Sequence, residues 1–223
     1  NNSITYYNTP FYAKYDLDGN PIWLKKTGEN THSEGFILEQ SEGFLYLAQK
    51  MSNKISKIDS DGNIISEFYV NGIQGAITDV VFDNEGSLII LGNTDNNTSP
   101  TSTWINGEQF TANPDSNILS KVSTNGELIW VKIIENGGVY TGWSGHNTLT
   151  IYNEQVTILG ATYNNEIIID NNSYFSPSQN NYWCYLSSFD FDGNNLWVST
   201  FDYNQIGAIT QDKYGNIYCI GNV

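Results

Sequence analysis

The chain of 223 residues has no arginine: its nine basic side chains are all lysine, against 24 acidic ones. Without the planar guanidinium fork, the usual bidentate grip on carboxylates and phosphates is missing. A net charge of −15 argues further against a nucleic-acid partner, since phosphate contacts need clustered cations. Histidine is nearly absent as well. His32 and His146 have no dense set of further ligands beside them in sequence, so no metal site is expected. The only cysteines, Cys184 and Cys219, sit in apolar strand patterns and read as two buried free thiols, with a cross-strand disulfide as the alternative. No apolar run reaches membrane length, and no signal-peptide pattern is present. Because the chain starts at Asn1 rather than Met, it reads as a mature, trimmed or excised segment. No stretch carries the 3.6-residue period of an amphipathic helix. Neither a Gly-x-Ser-x-Gly elbow nor a His-Glu-x-x-His zinc motif occurs.

What the chain does have is one short phrase written seven times. The copies are Asp16-Leu17-Asp18-Gly19, Gln40-Ser41-Glu42-Gly43, Asp59-Ser60-Asp61-Gly62, Asp83-Asn84-Glu85-Gly86, Ser123-Thr124-Asn125-Gly126, Asp190-Phe191-Asp192-Gly193 and Asp212-Lys213-Tyr214-Gly215. An Asp or Ser opens a type I turn by accepting backbone amides ahead of it, and Gly closes it in the left-handed region. Turns of this kind join antiparallel strands, so the chain reads as a string of hairpins.

Two hairpin settings alternate. In one, called C–D, the turn glycine is followed four residues later by tryptophan: Trp23, Trp130 and Trp197, with Ser66 in the remaining copy. In the other, A–B, the second strand ends in Gly or Ala, as in Leu88–Gly92 and Ile217–Gly221. The order is one C–D hairpin, three A–B–C–D units and a last A–B hairpin. Four-stranded antiparallel units at this interval predict an all-β fold, a β-propeller of about four blades' worth of strands. The expected division is a half blade at 10–27, blades at 34–70, 76–134 and 146–202, and a half blade at 205–222. The halves could combine to close a four-bladed ring, or the chain could be a segment of a larger propeller.

The phrase Phe11-Tyr12-Ala13-Lys14-Tyr15-Asp16-Leu17-Asp18-Gly19-Asn20-Pro21-Ile22-Trp23 resembles the F-x-A-K-Y-D-x-x-G-N-x-x-W signature of bacterial SBBP-type propeller repeats. Ala208–Gly221 is similar to the same family's A–B hairpin. The sequence departs from it at Ser66, at Asn153-Glu154 where the turn lacks glycine, and at Ser188 where other units have lysine. The resemblance implies a propeller fold in secreted or cell-surface bacterial proteins, often large, modular and exported by type IX secretion. It is compatible with attachment to an outer-membrane assembly, and it implies no catalytic activity.

Antiparallel blades put every A–B and C–D turn at one end and every B–C and D–A connection at the other. Binding residues are expected among the irregular loops Thr94–Ser116, Glu135–Asn147 and Tyr163–Asn181. Aromatic rings with nearby amides and carboxylates suit sugar or peptide recognition. This selects Trp104, Asn106, Glu108, Phe110, Tyr140, Trp143 and His146 as candidate ligand-binding residues. The Asp-x-Asp-Gly turns superficially suggest calcium, but none supplies the distal carboxylate and six to eight oxygens calcium needs. Trp23, Trp130 and Trp197 are expected to pack blade on blade, and Trp183, in a strand C, to lie in the core. The expectation is a non-enzymatic surface module for a protein or glycan partner, or a scaffold, without cofactor. The rival is a propeller enzyme acting on polysaccharide or a quinoprotein-like oxidoreductase.

Overall fold

The structure, a computed structural model, describes residues 10–27, 36–49, 52–70, 76–94, 101–105, 108–138, 148–178, 182–202 and 205–222. Twenty strands account for it. Hairpin β1 (Phe11–Tyr15) and β2 (Pro21–Lys26) comes first. Blade 1 follows as β3 (Phe36–Ser41), β4 (Phe44–Gln49), β5 (Lys54–Ile58) and β6 (Ile64–Tyr69), paired in that order. Blade 2 is β7 (Ile77–Phe82), β8 (Leu88–Asn93), β11 (Asn117–Val122) and β12 (Leu128–Glu135), with hairpin β9 (Thr101–Ile105) and β10 (Glu108–Ala112) inserted. Blade 3 is β13 (Leu149–Tyr152), β14 (Gln155–Thr162), β17 (Trp183–Asp190) and β18 (Asn195–Phe201). Its insertion is hairpin β15 (Glu166–Ile169) and β16 (Asn172–Phe175), and β19 (Gln205–Gln211) with β20 (Ile217–Asn222) comes last. Successive first strands lie beside one another, β3 by β7, β7 by β13 and β13 by β19, which is the arrangement of a β-propeller. Among the described residues no helix is long and apolar enough to cross a membrane.

The blades cohere because each inner strand is buried on both faces, which demands continuous rather than alternating apolar runs. In β8, Leu88 and Ile90 join Tyr46, Ile55 and Val80 in the core toward blade 1. Ile89 and Leu91 point the other way, into the core shared with Val156, Ile158, Trp183 and Phe189 of blade 3. A third cluster seats Tyr12 and Trp23 of the first hairpin on Leu47 and Ile58 of blade 1. The first strands are also tied directly: Asp79 Oδ2 accepts the amides of Thr148 at 2.6 Å and Leu149 at 2.9 Å.

Six of the seven repeated phrases form the expected turn. In each, the glycine amide donates to the carbonyl of the opening Asp or Ser, and that residue's own amide donates to the carbonyl one position past the glycine. The glycines have φ from +80° to +87°, a region that penalises any Cβ. The Gln40–Gly43 copy differs. Glu42 (φ 51°) and Gly43 (φ 82°) are both left-handed, giving a two-residue type I′ turn with Ser41 opposite Phe44. Asn153-Glu154 makes the same tight turn without glycine, at φ 46° and 62°.

Two expectations need correction. The stretches 94–116 and 163–181 are not irregular loops; each contains a hairpin. Asp170 and Asn171, both left-handed, close β15–β16 in a type I′ turn. In β9–β10, Ile105 pairs with Glu108 and leaves the dipeptide Asn106-Gly107 to connect them, a strong hairpin signal that the aromatic content of the loop masked. Neither cysteine is in a disulfide, and only Cys184 is buried; Cys219 is exposed. It lies on β20, which among the described residues pairs with β19 alone.

Candidate functional site

At the turn end the aspartates that open the turns are engaged by their own backbone. Asp16 Oδ1 accepts the amides of Asp18 and Asn20, and Oδ2 accepts the Asn20 side chain at 3.0 Å. Asp59, Asp190 and Asp212 repeat the set with Asn63, Asn194 and Asn216. The side chain and amide of that asparagine hold the carboxyls of Asp16, Asp59 and Asp212 below the usual carboxylate range. At Asp190 slight burial works against ionisation, and the same bonds prevail. Among the described residues no three His, Cys, Asp or Glu side chains converge on one point.

The same turns also latch one blade to the next. Trp23 Nε1 donates to the Ser60 carbonyl at 3.0 Å, and Trp130 Nε1 donates to the Phe191 carbonyl at 2.8 Å. The rings lie against the turn glycines: a Cβ on Gly62 or Gly193 would sit 3.0 Å from the tryptophan ring carbon. Lysine supports the latch from the adjacent strand. Lys14 Nζ donates to the Ser60 carbonyl at 3.2 Å and Lys121 Nζ to the Phe191 carbonyl at 3.5 Å, while within its own blade buried Lys121 lies 2.8 Å from Asp83 and 3.1 Å from Glu85. Burial opposes the Lys121 charge, but bonds to the two carboxylates outweigh it and raise its pKa. Where Ser66 replaces tryptophan, Phe68 packs under Gly126 without a donor. The turn end is thus a bonded scaffold surface.

The opposite end is built from one-off contacts. Tyr185 reaches from blade 3 into blade 2, donating to the Gly137 carbonyl at 2.9 Å and accepting from Asn117 Nδ2 at 2.8 Å. Burial pushes its phenol pKa up. Gly160 makes room for the ring, since a Cβ there would fall 2.1 Å from Tyr185 Cζ. Hairpin β15–β16 leaves blade 3 and pairs with β12 of blade 2 through Ile134 opposite Ile169, so that sheet has six strands. Lys132 clamps its tip by an ion pair to Asp170 at 2.9 Å. The stem of β9–β10 is closed by Thr94, which bonds Asn113 and Ser116, and by Asn113 Nδ2 to Glu135 at 2.8 Å.

On this end the Tyr163 ring packs at a tilt of 53° against Tyr182, with ring centroids 4.8 Å apart. Tyr163 is exposed, whereas burial and the neighbours Cys184 and Tyr163 push the Tyr182 phenol up to about 12. Trp183, fully buried, donates through Nε1 to the Asn164 carbonyl at 2.5 Å and fixes the backbone after Tyr163. Ser178 donates to Asp202, tying the stretch after β16 to the end of β18. The result is an exposed aromatic ring packed on a half-buried one, next to a backbone held by Trp183.

No family model matches the chain. Curated proteins yield no match either. Among solved structures it is similar to the Dos1 propeller, at 11% identity and TM-score 0.41 over 94% of this chain. It spans 56% of that chain's length. Likeness to BamB from Moraxella catarrhalis is 10% identity and TM-score 0.35, covering 90% of this chain and 71% of the other. A protein of unknown function from Bacteroides caccae gives 9% and 0.30, covering 83% and 73%.

Of the seven candidate residues, Trp104 lies in β9, and Glu108 and Phe110 lie in β10, so one hairpin carries all three. Phe110 is half-buried and packs against the core between blades 1 and 2. Asn106, Tyr140, Trp143 and His146, together with His32, lie outside the described residues. Sequence reading missed Tyr163 and Tyr182. Their separation across the inserted hairpin hid the pairing, though each directly flanks a B or C strand.

Proposed function

We propose that this chain is a non-enzymatic propeller module, extracellular or on a bacterial cell surface, that binds a protein or glycan through its B–C and D–A end. The observation that carries the reading is the contrast between ends. The opening aspartates of the turns are already bonded to their own backbone, while the opposite end, which also bears two inserted hairpins, presents Tyr163 exposed against Tyr182. An exposed ring on a fixed base offers apolar area at low entropic cost, and surrounding amides orient a sugar or a peptide. The likeness of Phe11–Trp23 to SBBP-type repeats supports a secreted or surface role, including carriage by a type IX system.

The test is glycan-array and peptide-array binding by the whole chain, compared with Tyr163→Ala and Trp104→Ala. Loss of a specific signal in folded variants is the expected result. Turnover of a polysaccharide or of a quinone-linked substrate by the purified chain would replace this reading with an enzymatic one.

A further inference from the structure

The D strands form the perimeter of the fold, and one position on them repeats. The residue before the tryptophan register is Ile22 in β2, Ile65 in β6, Ile129 in β12 and Leu196 in β18. All four are large, apolar and exposed. Latching blade to blade does not require this, because the reach to the next turn is made by the neighbouring ring, Trp23 or Trp130. The ridge is densest on β6 of blade 1. Ile64, Ile65 and Tyr69 are all exposed there, so half of a six-residue strand is large apolar side chain in water, more than on β12 or β18.

β6 and β12 are the same strand of the repeat, aligned through the pairs Lys57–Ser66 and Lys121–Trp130. Their outer edges differ. β15 has added itself antiparallel to the edge of β12, with Ile169 opposite Ile134 and Ile168 opposite Glu135. Among the described residues β6 pairs with β5 alone. Ile133, next to the added strand, is partly buried, whereas its counterpart Tyr69 is 46% exposed. Open strand edges carrying apolar side chains are templates for pairing. Alternation along β6 sends Phe68 under Gly126 of blade 2 and puts Ile65, Glu67 and Tyr69 on the other face. Glu67 Oε1 lies 3.3 Å from Lys54 and accepts from Ser56 at 2.9 Å, on a side chain that stays 37% exposed. The edge thus reads apolar, acidic, apolar at alternate residues, in a chain of net charge −15.

We propose that the outer edge of β6 takes an extended strand from a partner protein, paired antiparallel as β15 pairs with β12. Backbone pairing supplies the affinity, and alternate side chains supply the choice of partner. The incoming strand sets apolar residues against Ile65 and Tyr69 and a basic residue between them, against Glu67. The excess negative charge of the chain favours a cationic segment over an acidic one. This edge lies on the perimeter, apart from the B–C and D–A end, so the failure of either site leaves the other standing.

The experiment titrates the whole chain into a fluorescein-labelled peptide, Thr-Val-Thr-Lys-Thr-Val-Thr, and follows anisotropy. Its valines and lysine share one face at the spacing of Ile65, Glu67 and Tyr69. Saturable binding is expected. Methylating alternate peptide amides, which removes strand pairing but keeps side chains and charge, should weaken it by about tenfold or more. Ile65→Lys and Tyr69→Lys should each weaken it by about tenfold, with far-UV circular dichroism unchanged, while Ile129→Lys on β12 leaves it as it was. Replacing the peptide lysine by glutamate should weaken it too. Absence of saturable binding up to about 1 mM overturns the proposal. So does binding indifferent to amide methylation, which is charge attraction alone, or binding lost equally in Ile129→Lys. A dimer of the chain in light scattering that Ile65→Lys abolishes would give the edge to a second copy and overturn it as well.

Discussion

Trp130 and Tyr185 hold the same two blades together from opposite ends, and only one of them belongs to the repeat. Trp130 donates to a turn carbonyl just as Trp23 does in the first hairpin, so that joint occurs twice in the same form. Tyr185 instead needs Asn117, Gly137 and the gap at Gly160, a set of partners that occurs once. A repeated joint lets blades be added. A unique joint sets the order of two particular blades and frees the surface around it for insertions.

Substitutions can break each joint separately. The largest effect is expected for Gly160→Ala, whose Cβ would fall inside the Tyr185 ring; overpacking of this kind should lower stability by about 3 kcal/mol in urea unfolding. Gly126→Ala comes next. Its φ of +84° already disfavours a Cβ, and Phe68 lies 2.6 Å from where it would sit, so about 2 kcal/mol is expected. Gly19→Ala has the same backbone strain and open space, and should lose about 1 kcal/mol. An equal loss at Gly19 and Gly126 would mean the ring contact adds nothing at this end.

Acid should act on the turn end selectively. Asp16, Asp59, Asp190 and Asp212 have folded pKa values below their unfolded ones. Their contribution is therefore complete above the unfolded carboxylate range and is lost as pH falls through the lowered folded values. Urea midpoints should drop between neutral pH and about pH 3, and Asp59→Asn should flatten that slope. The smallest effect on stability belongs to the end we propose for binding: Tyr163→Ala should change unfolding by no more than about 0.5 kcal/mol. Its consequence should appear in ligand binding alone, measured on glycan and peptide arrays.

Much of the scaffold was legible because turn chemistry is local. Asp59 and Gly62 find each other across three residues, and the phrase specifies its hairpin wherever it stands. Strand C of blade 2 and strand A of blade 3 were likewise readable, since β11 and β13 carry apolar runs bounded by turn signals. The inserted hairpins were harder. β15 is four residues long, and what stabilises it is pairing with β12 of another blade and an ion pair to Lys132. Cys219 was misplaced for a related reason. Its strand is patterned as a buried one, and the side that would cover it is not occupied by any other strand of the described chain. Tyr163 and Tyr182 meet only because the backbone brings their rings to 4.8 Å across the inserted hairpin.

The turns, the blade repeat and the recurring tryptophan at the blade joint are all written in the chain's local pattern. Each rests on residues a few positions apart, whose geometry is set by backbone sterics and short hydrogen bonds. Folding in three dimensions was needed to send β15–β16 across to blade 2 and to plug the junction beside Gly160 with Tyr185. Those outcomes depend on which surfaces meet after the chain has turned back on itself, and local pattern carries no record of the partner.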